Sequence, residues 1–125
     1  MEKLVAGLSA SSTTIVNVEN TAASMGSGDL PVFATPAMVA LMEQAAMQSV
    51  SKELPDEATT VGAEMNVSHI KPSGIGARIT ATAVLTAVEG RKLTFQVGAR
   101  DDAGMIGEGT HVRYVVDRVR FLSKI

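Results

Sequence analysis

Apolar residues recur along the chain with two different periods, and the change from one to the other divides it. Ser12 to Val18 alternates and predicts a first strand, after which Ala22 to Pro31, rich in Gly, Ser and Asp, reads as a loop. At Thr35-Pro36 the pattern turns helical. Threonine suits an N-cap, proline suits the first turn where its missing N–H costs nothing, and good helix formers continue to about Lys52. Leu54-Pro55-Asp56 ends that helix. Beyond it the period is two. Val61, Ala63, Met65, Val67 and His69 share one face of a strand that stops at Lys71-Pro72-Ser73-Gly74. Ala77, Ile79, Ala81, Ala83 and Leu85 form the inner face of the next, which turns at Glu89-Gly90. Leu93, Phe95, Val97 and Ala99 follow, then a hairpin turn at Asp101-Asp102-Ala103-Gly104. The last strand, Ile106 to about Phe121, sets Ile106, Thr110, Val112, Tyr114 and Val116 against Gly107, Gly109, His111, Arg113 and Val115. Three consecutive strands joined by short turns predict an antiparallel meander whose apolar face the long helix covers, an α+β arrangement.

Composition narrows the function classes. With 125 residues, 46% of them apolar and 19% charged, the chain has the size and balance of one compact domain, expected to span 1–125. Its core draws on Ala, Val and seven Met, small or flexible side chains that bury modest area each, and a homodimer is a natural way to bury more. A net charge of -2 without a block of like charges, and only 3% aromatic residues, argue against nucleic acid or an anionic lipid surface as partner. The absence of cysteine removes disulfides, thiolate metal sites and a cysteine nucleophile, and fits a reducing cytoplasm. Two histidines far apart in sequence provide no metal ligand set. Met1-Glu2-Lys3-Leu4 does not open a secretory signal, and the weakly charged stretch Leu30 to Ser51 is broken by two prolines and carries Glu43, Gln44 and Gln48, so no membrane span is expected.

Three residues stand out as reactive. Glu43 is the only charged residue between Asp29 and Lys52, and a helical projection groups it with Val39, Ala46 and Val50 instead of Gln44 and Gln48. An acid there is either a structural carboxylate paired with a cation or a general base or nucleophile in a cleft. His69 lies on the strand face the helix should cover, at the strand end, where it is either a core-edge histidine bound to a carbonyl or a catalytic base. Thr35 reads first as a helix cap, a role compatible with chemistry because a helix N-terminus favours a developing oxyanion. Thr35 and Glu43 are separated by roughly 12 Å of helix rise, too far for a direct bond within one chain. His111, beside Arg113, reads as solvated or interfacial. Phosphate-loop, His-x-x-x-His and Gly-x-Ser-x-Gly signatures are absent.

Together, Leu30-Pro31-Val32-Phe33-Ala34-Thr35-Pro36, Leu41-Met42-Glu43, Val61-Gly62 and Ser68-His69 make the chain resemble the hotdog-fold thioesterases, and among them the fluoroacetyl-CoA thioesterase-like family. That resemblance implies an antiparallel sheet wrapped around one long central helix, protomers joined edge to edge as a homodimer or higher homo-oligomer, and an acyl-CoA site at the interface. It places the family's catalytic residues on Thr35, Glu43 and His69 and its substrate-site residues on Gly62 and Arg113. Arg113, Arg78 and Lys71 are then the cations expected near CoA phosphates. The implied reaction is thioester hydrolysis with no cofactor beyond the CoA of the substrate. The specialised fluoroacetyl-CoA enzyme closes its pocket with phenylalanines before the helix, where this chain has Met25-Gly26-Ser27-Gly28-Asp29. A less discriminating enzyme for short or medium acyl groups is therefore expected. The competing reading is a non-catalytic hotdog homodimer that binds acyl-CoA or another small ligand, and the Asp/His motif of a hotdog hydratase is not recognisable.

Overall fold

A computed structural model describes residues 3–125; Met1 and Glu2, part of the segment read for a targeting signal, lie outside it. Five strands form one antiparallel sheet in the order β1-β3-β4-β5-β2, comprising β1 (Ser9–Ile15), β2 (Ala58–His69), β3 (Arg78–Glu89), β4 (Lys92–Asp101) and β5 (Gly104–Asp117). The meander predicted from the turns is β3-β4-β5, and β1 and β2 flank it as edges. Helix α2 (Thr35–Ser51) lies across the concave face, the sheet-around-helix arrangement the resemblance implies.

Packing follows from side-chain size. Met38, Met42, Ala45, Ala46 and Val50 of α2 meet Ile79, Ala81, Ala83 and Leu85 of β3 and Leu93, Phe95 and Val97 of β4, all buried. Alanines on both surfaces let the helix settle close to the sheet, and methionines fill what remains. Glycines serve the same end on β5. A Cβ at Gly107 would stand 2.7 Å from the Met38 sulfur and from the Ser68 carbonyl, and one at Gly109 would run into the backbone of Asn66 and Val67.

Several expectations are corrected. The first strand is shifted to Ser9–Ile15, because Asn17 and Asn20 exchange side-chain caps and wind Val18–Asn20 into a 3-10 turn. The expected loop contains a short helix, α1 (Ala22–Met25), capped by the Thr21 hydroxyl. β5 stops at Asp117, whose carboxylate accepts from the Arg120 N–H and starts helix α3 (Arg118–Leu122). Thr35 is not the N-cap of α2: Ala34 holds that position and makes no side-chain cap, with Thr35 and Pro36 in the first turn.

Two face assignments also change. The β2–β5 register shifts between Gly62 and Glu64, a bulge at Ala63. Such an extra residue reverses the parity of every side chain beyond it. Thr60 and Gly62 therefore face the helix before the bulge, and Met65, Val67 and His69 face it afterwards, in place of Val61 and Ala63. On β5 Ile106 is buried in the core as its place in the apolar set suggests, but beyond it the inward residues are Gly107, Gly109, His111, Arg113 and Val115, the opposite set. Among the described residues no helix is long and apolar enough to cross a membrane.

Candidate active site

Freed from capping, the Thr35 hydroxyl lies 2.8 Å from Nδ1 of His69. The first turn of α2 and the last residue of β2 thus meet at the mouth of a cavity of about 280 Å³, bounded by Ala22, Ser27, Val32, Phe33, Lys71 and Pro72. Phe33 is buried and packs edge-on against the His69 ring, with centroids 6.5 Å apart and planes at 79°. Burial draws the imidazole below its ordinary value of 6.5, with the backbone of Lys71 acting weakly the other way. A neutral ring can take the threonine proton on Nδ1. Its Nε2 is buried and has no hydrogen-bond partner among the described residues.

Lys71 is held at the rim. Its ammonium contacts both oxygens of Asp101, at 3.1 and 3.3 Å, while Ser73 donates to the same carboxylate and the Ala103 and Gly104 N–H groups donate to it from the turn. Lysine bonding is the main reason the Asp101 carboxyl sits below its usual value. Arg78 is exposed at the start of β3.

Glu43, Gly62 and Arg113 form a second cluster farther along the helix. The helical projection points Glu43 at the core or at a partner chain; within the protomer it does not lie in the core, since its side chain is 40% exposed, on the flank of α2 that faces β2. Its Oε2 lies 3.5 Å from Nη1 of Arg113, which is 7% exposed. The carboxylate fits only because Gly62 lacks a side chain, since a Cβ there would stand 2.5 Å from Oε2. Arg113 donates from Nε to the Thr60 hydroxyl at 2.8 Å and from Nη2 to the Thr60 carbonyl at 3.0 Å. With Nη1 facing Glu43 as well, the guanidinium is held within the protomer by Thr60 and Glu43. Thr60, which the sequence analysis did not single out, and His111, read there as solvated or interfacial, belong to this cluster; a bulge signal near Gly62 would have turned Thr60 inward, whereas nothing local to β5 marks His111 as buried.

Burial also lowers the His111 imidazole, with Arg113 adding to the effect, and the Glu64 carbonyl and Glu43 opposing it. Both histidines are therefore neutral in the fold more readily than in the unfolded chain, which binds more protons as pH falls. Stability contributed by the neutral rings is full above about pH 6.5 and is lost as pH drops through the lowered values. Thermal melts between about pH 7.5 and pH 5 should show Tm falling toward acid, and the fall should be smaller in His111→Gln; a flat wild-type profile would contradict the assignment.

A family model described as the fluoroacetyl-CoA-specific thioesterase FlK matches residues 16–119. The chain belongs to that family. A relative named fluoroacetyl-CoA thioesterase, from Streptantibioticus cattleyicolor, is 38% identical over 94 residues, 75% of this chain and 68% of that protein. A solved structure of the fluoroacetyl-CoA thioesterase FlK superposes with a TM-score of 0.90 at 31% identity, covering 97% of this chain and 94% of that one. A Thermus thermophilus hypothetical protein described as a thioesterase superfamily member gives 0.91 at 25% identity over 99% and 92% of the two chains. The fold is the hotdog fold of these thioesterases. The five residues singled out in the sequence fall, within one protomer of this family member, into two groups: Thr35 with His69, and Glu43 with Gly62 and Arg113.

Proposed function

We propose that the chain hydrolyses acyl-CoA thioesters with short or medium acyl groups, at a site completed by a second copy of itself. The observation that carries this reading is the Thr35–His69 bond at an open cavity, in a chain of the fluoroacetyl-CoA-specific thioesterase family. In this account Thr35, Glu43 and His69 are catalytic and Gly62 and Arg113 shape the substrate site. The active-site residues hold and move protons: His69 takes the proton of Thr35 or of water, Glu43 provides the carboxylate that attacks the carbonyl or activates water, and backbone N–H groups near Gly62 or the first turn of α2 meet the oxyanion while CoA leaves as the thiol. Whether Glu43 attacks the carbonyl or activates water, it needs the carbonyl within reach of both groups.

Geometry favours two protomers for that. Gly62 and His69 are seven residues apart on β2, roughly 23 Å along an extended strand, and Thr35 and Glu43 are roughly 12 Å apart along the helix. β2 is an unpaired edge of twelve residues, a template for another strand. A two-fold axis near Met65 and Asn66, midway between Gly62 and His69, would lay the Glu43 cluster of one protomer against the Thr35–His69 pair of the other. Subunit complementation tests this. Mixed after unfolding, inactive His69→Ala and Glu43→Gln chains should recover about a quarter of wild-type activity, because half the dimers are mixed and each has one intact site. No recovery would place the site within one chain, and a monomer by light scattering that still hydrolyses thioesters would remove the interface altogether.

Gly62→Ala is a milder probe. The added methyl pushes the Glu43 carboxylate aside, so kcat should fall on the order of 10-fold to 10²-fold while the melt changes little, since the displaced atom ends a flexible side chain. A variant with unaltered kcat would separate Glu43 from the chemistry.

The wall that precedes the helix bears on selectivity. Among the described residues, those that line the Thr35–His69 cavity ahead of the helix are Ala22, Ser27, Val32 and Phe33, and Ile70, Lys71 and Pro72 line it after β2. A segment ahead of the helix that offers one phenylalanine, beside Ala22 and Ser27, supports acceptance of several short or medium acyl groups over selection of one.

A further inference from the structure

His111, read from the sequence as solvated or interfacial, is 1% exposed. Its two ring nitrogens are both committed. Nδ1 lies 2.7 Å from the carbonyl oxygen of Glu64, and a carbonyl can only accept, so Nδ1 carries the proton. Nε2 is then a bare acceptor in the neutral ring, 3.2 Å from Nη1 of Arg113, which donates to it. The same Nη1 faces Glu43 at 3.5 Å. The Glu64 carbonyl that fixes the tautomer belongs to the residue after the β2 bulge. Around the bare Cα of Gly62 the three side chains converge, since a Cβ there would meet Glu43 Oε2, His111 Cε1 at 3.4 Å and Arg113 Nη1 at 3.5 Å.

We propose that His111 is a positioning residue: as the neutral Nδ1–H tautomer it holds the Arg113 guanidinium in the orientation that presents Nη1 to Glu43. This rests on the reading of Glu43 as catalytic. The arginine has Thr60 on its other side, accepting from Nε and Nη2, so His111 and Thr60 together leave the guanidinium one orientation. A protonated ring would turn Nε2 from acceptor into donor, opposing a guanidinium N–H and its charge, and Arg113 would have to turn away. The charged groups facing the imidazole are Arg113 from its own strand and Glu43 from α2; β2 offers only the Glu64 carbonyl, and β4 the Phe95 ring at 6.1 Å. Histidine thereby ties the presentation of the carboxylate to pH without touching substrate.

Steady-state kinetics of the chain on an acyl-CoA that it turns over test it. His111→Leu, which keeps the bulk and removes the acceptor, should lower kcat on the order of 10-fold to 10²-fold with KM nearly constant. His111→Gln, whose side-chain oxygen reaches the same N–H without titrating, should recover a large part of kcat and lose the fall in kcat that His111 protonation adds at acid pH. Added to Glu43→Gln, His111→Leu should cost nothing further, because both act through one carboxylate. A His111→Leu enzyme with wild-type kcat, beside an inactive Glu43→Gln, overturns the role of His111 alone; a Glu43→Gln enzyme with wild-type kcat overturns the reading beneath it as well. Should His111→Leu fail to fold, imidazole 15N spectra of the wild type decide: the Nδ1–H tautomer at neutral pH supports the proposal and the Nε2–H tautomer overturns it.

Discussion

Glu43→Gln is expected to lower kcat by roughly 10²- to 10⁴-fold while leaving the fold and substrate affinity nearly intact. Glutamine has the shape of glutamate and can still accept a hydrogen bond from Nη1 of Arg113 through its oxygen, so packing at Gly62 survives. What disappears is the negative charge and the capacity to take a proton or attack a carbonyl. The competing account, a carboxylate present only to neutralise a buried arginine, makes the opposite forecast. Removing the counterion would then leave Arg113 as an uncompensated buried charge, and the melt would drop while activity followed the folded fraction. The structure weighs toward catalysis, because Glu43 is 40% exposed and meets Arg113 through one long contact of 3.5 Å, whereas Thr60 and His111 already satisfy the guanidinium from within. An exposed partner screened by water contributes little to stability.

His69→Ala should be comparably severe, with kcat again falling by roughly 10²- to 10⁴-fold. Its loss removes the proton acceptor of the Thr35 hydroxyl. Thr35 would retain its place in the first turn of α2, since Pro36 and the helix backbone fix it independently of the ring. Steady-state rates and a melting curve on the same preparation separate this from a folding defect. The imidazole is partly buried and contributes its edge contact with Phe33, so a modest fall in Tm is expected alongside the loss of turnover. A variant that kept wild-type kcat would show the Thr35–His69 bond to be structural.

Much of this arrangement could be read from the sequence. The helix from Thr35, the inner faces of β3 and β4 and the turns between the last three strands follow from local periodicity and turn chemistry, and all three appear in the structure. Glu43 and His69 announced themselves by being polar on nearly apolar faces, and Gly62 and Arg113 became candidates through the resemblance to the family. The bulge at Ala63 could not be read, because one extra residue on β2 shows only against the register of β5. From that single omission came the reversed face of Val61 and Ala63. The inner face of β5 was hidden differently: glycines at 107 and 109, His111 and Arg113 look hydrophilic by composition, yet they face the helix because that face needs close backbone approach and a satisfied polar network. Thr35 looked like a cap because threonine before proline usually is one, and only the tertiary fold reveals that Ala34 takes the position and leaves the hydroxyl for His69.

The central claim is thioester hydrolysis that depends on His69, and release of free CoA thiol tests it most directly. Wild type and His69→Ala would be assayed side by side on acyl-CoAs running from acetyl to long-chain and aromatic groups. The account predicts thiol release with short and medium acyl groups by the wild type, nearly abolished in the variant. No release from any member of the series, or equal release by both proteins, would contradict it.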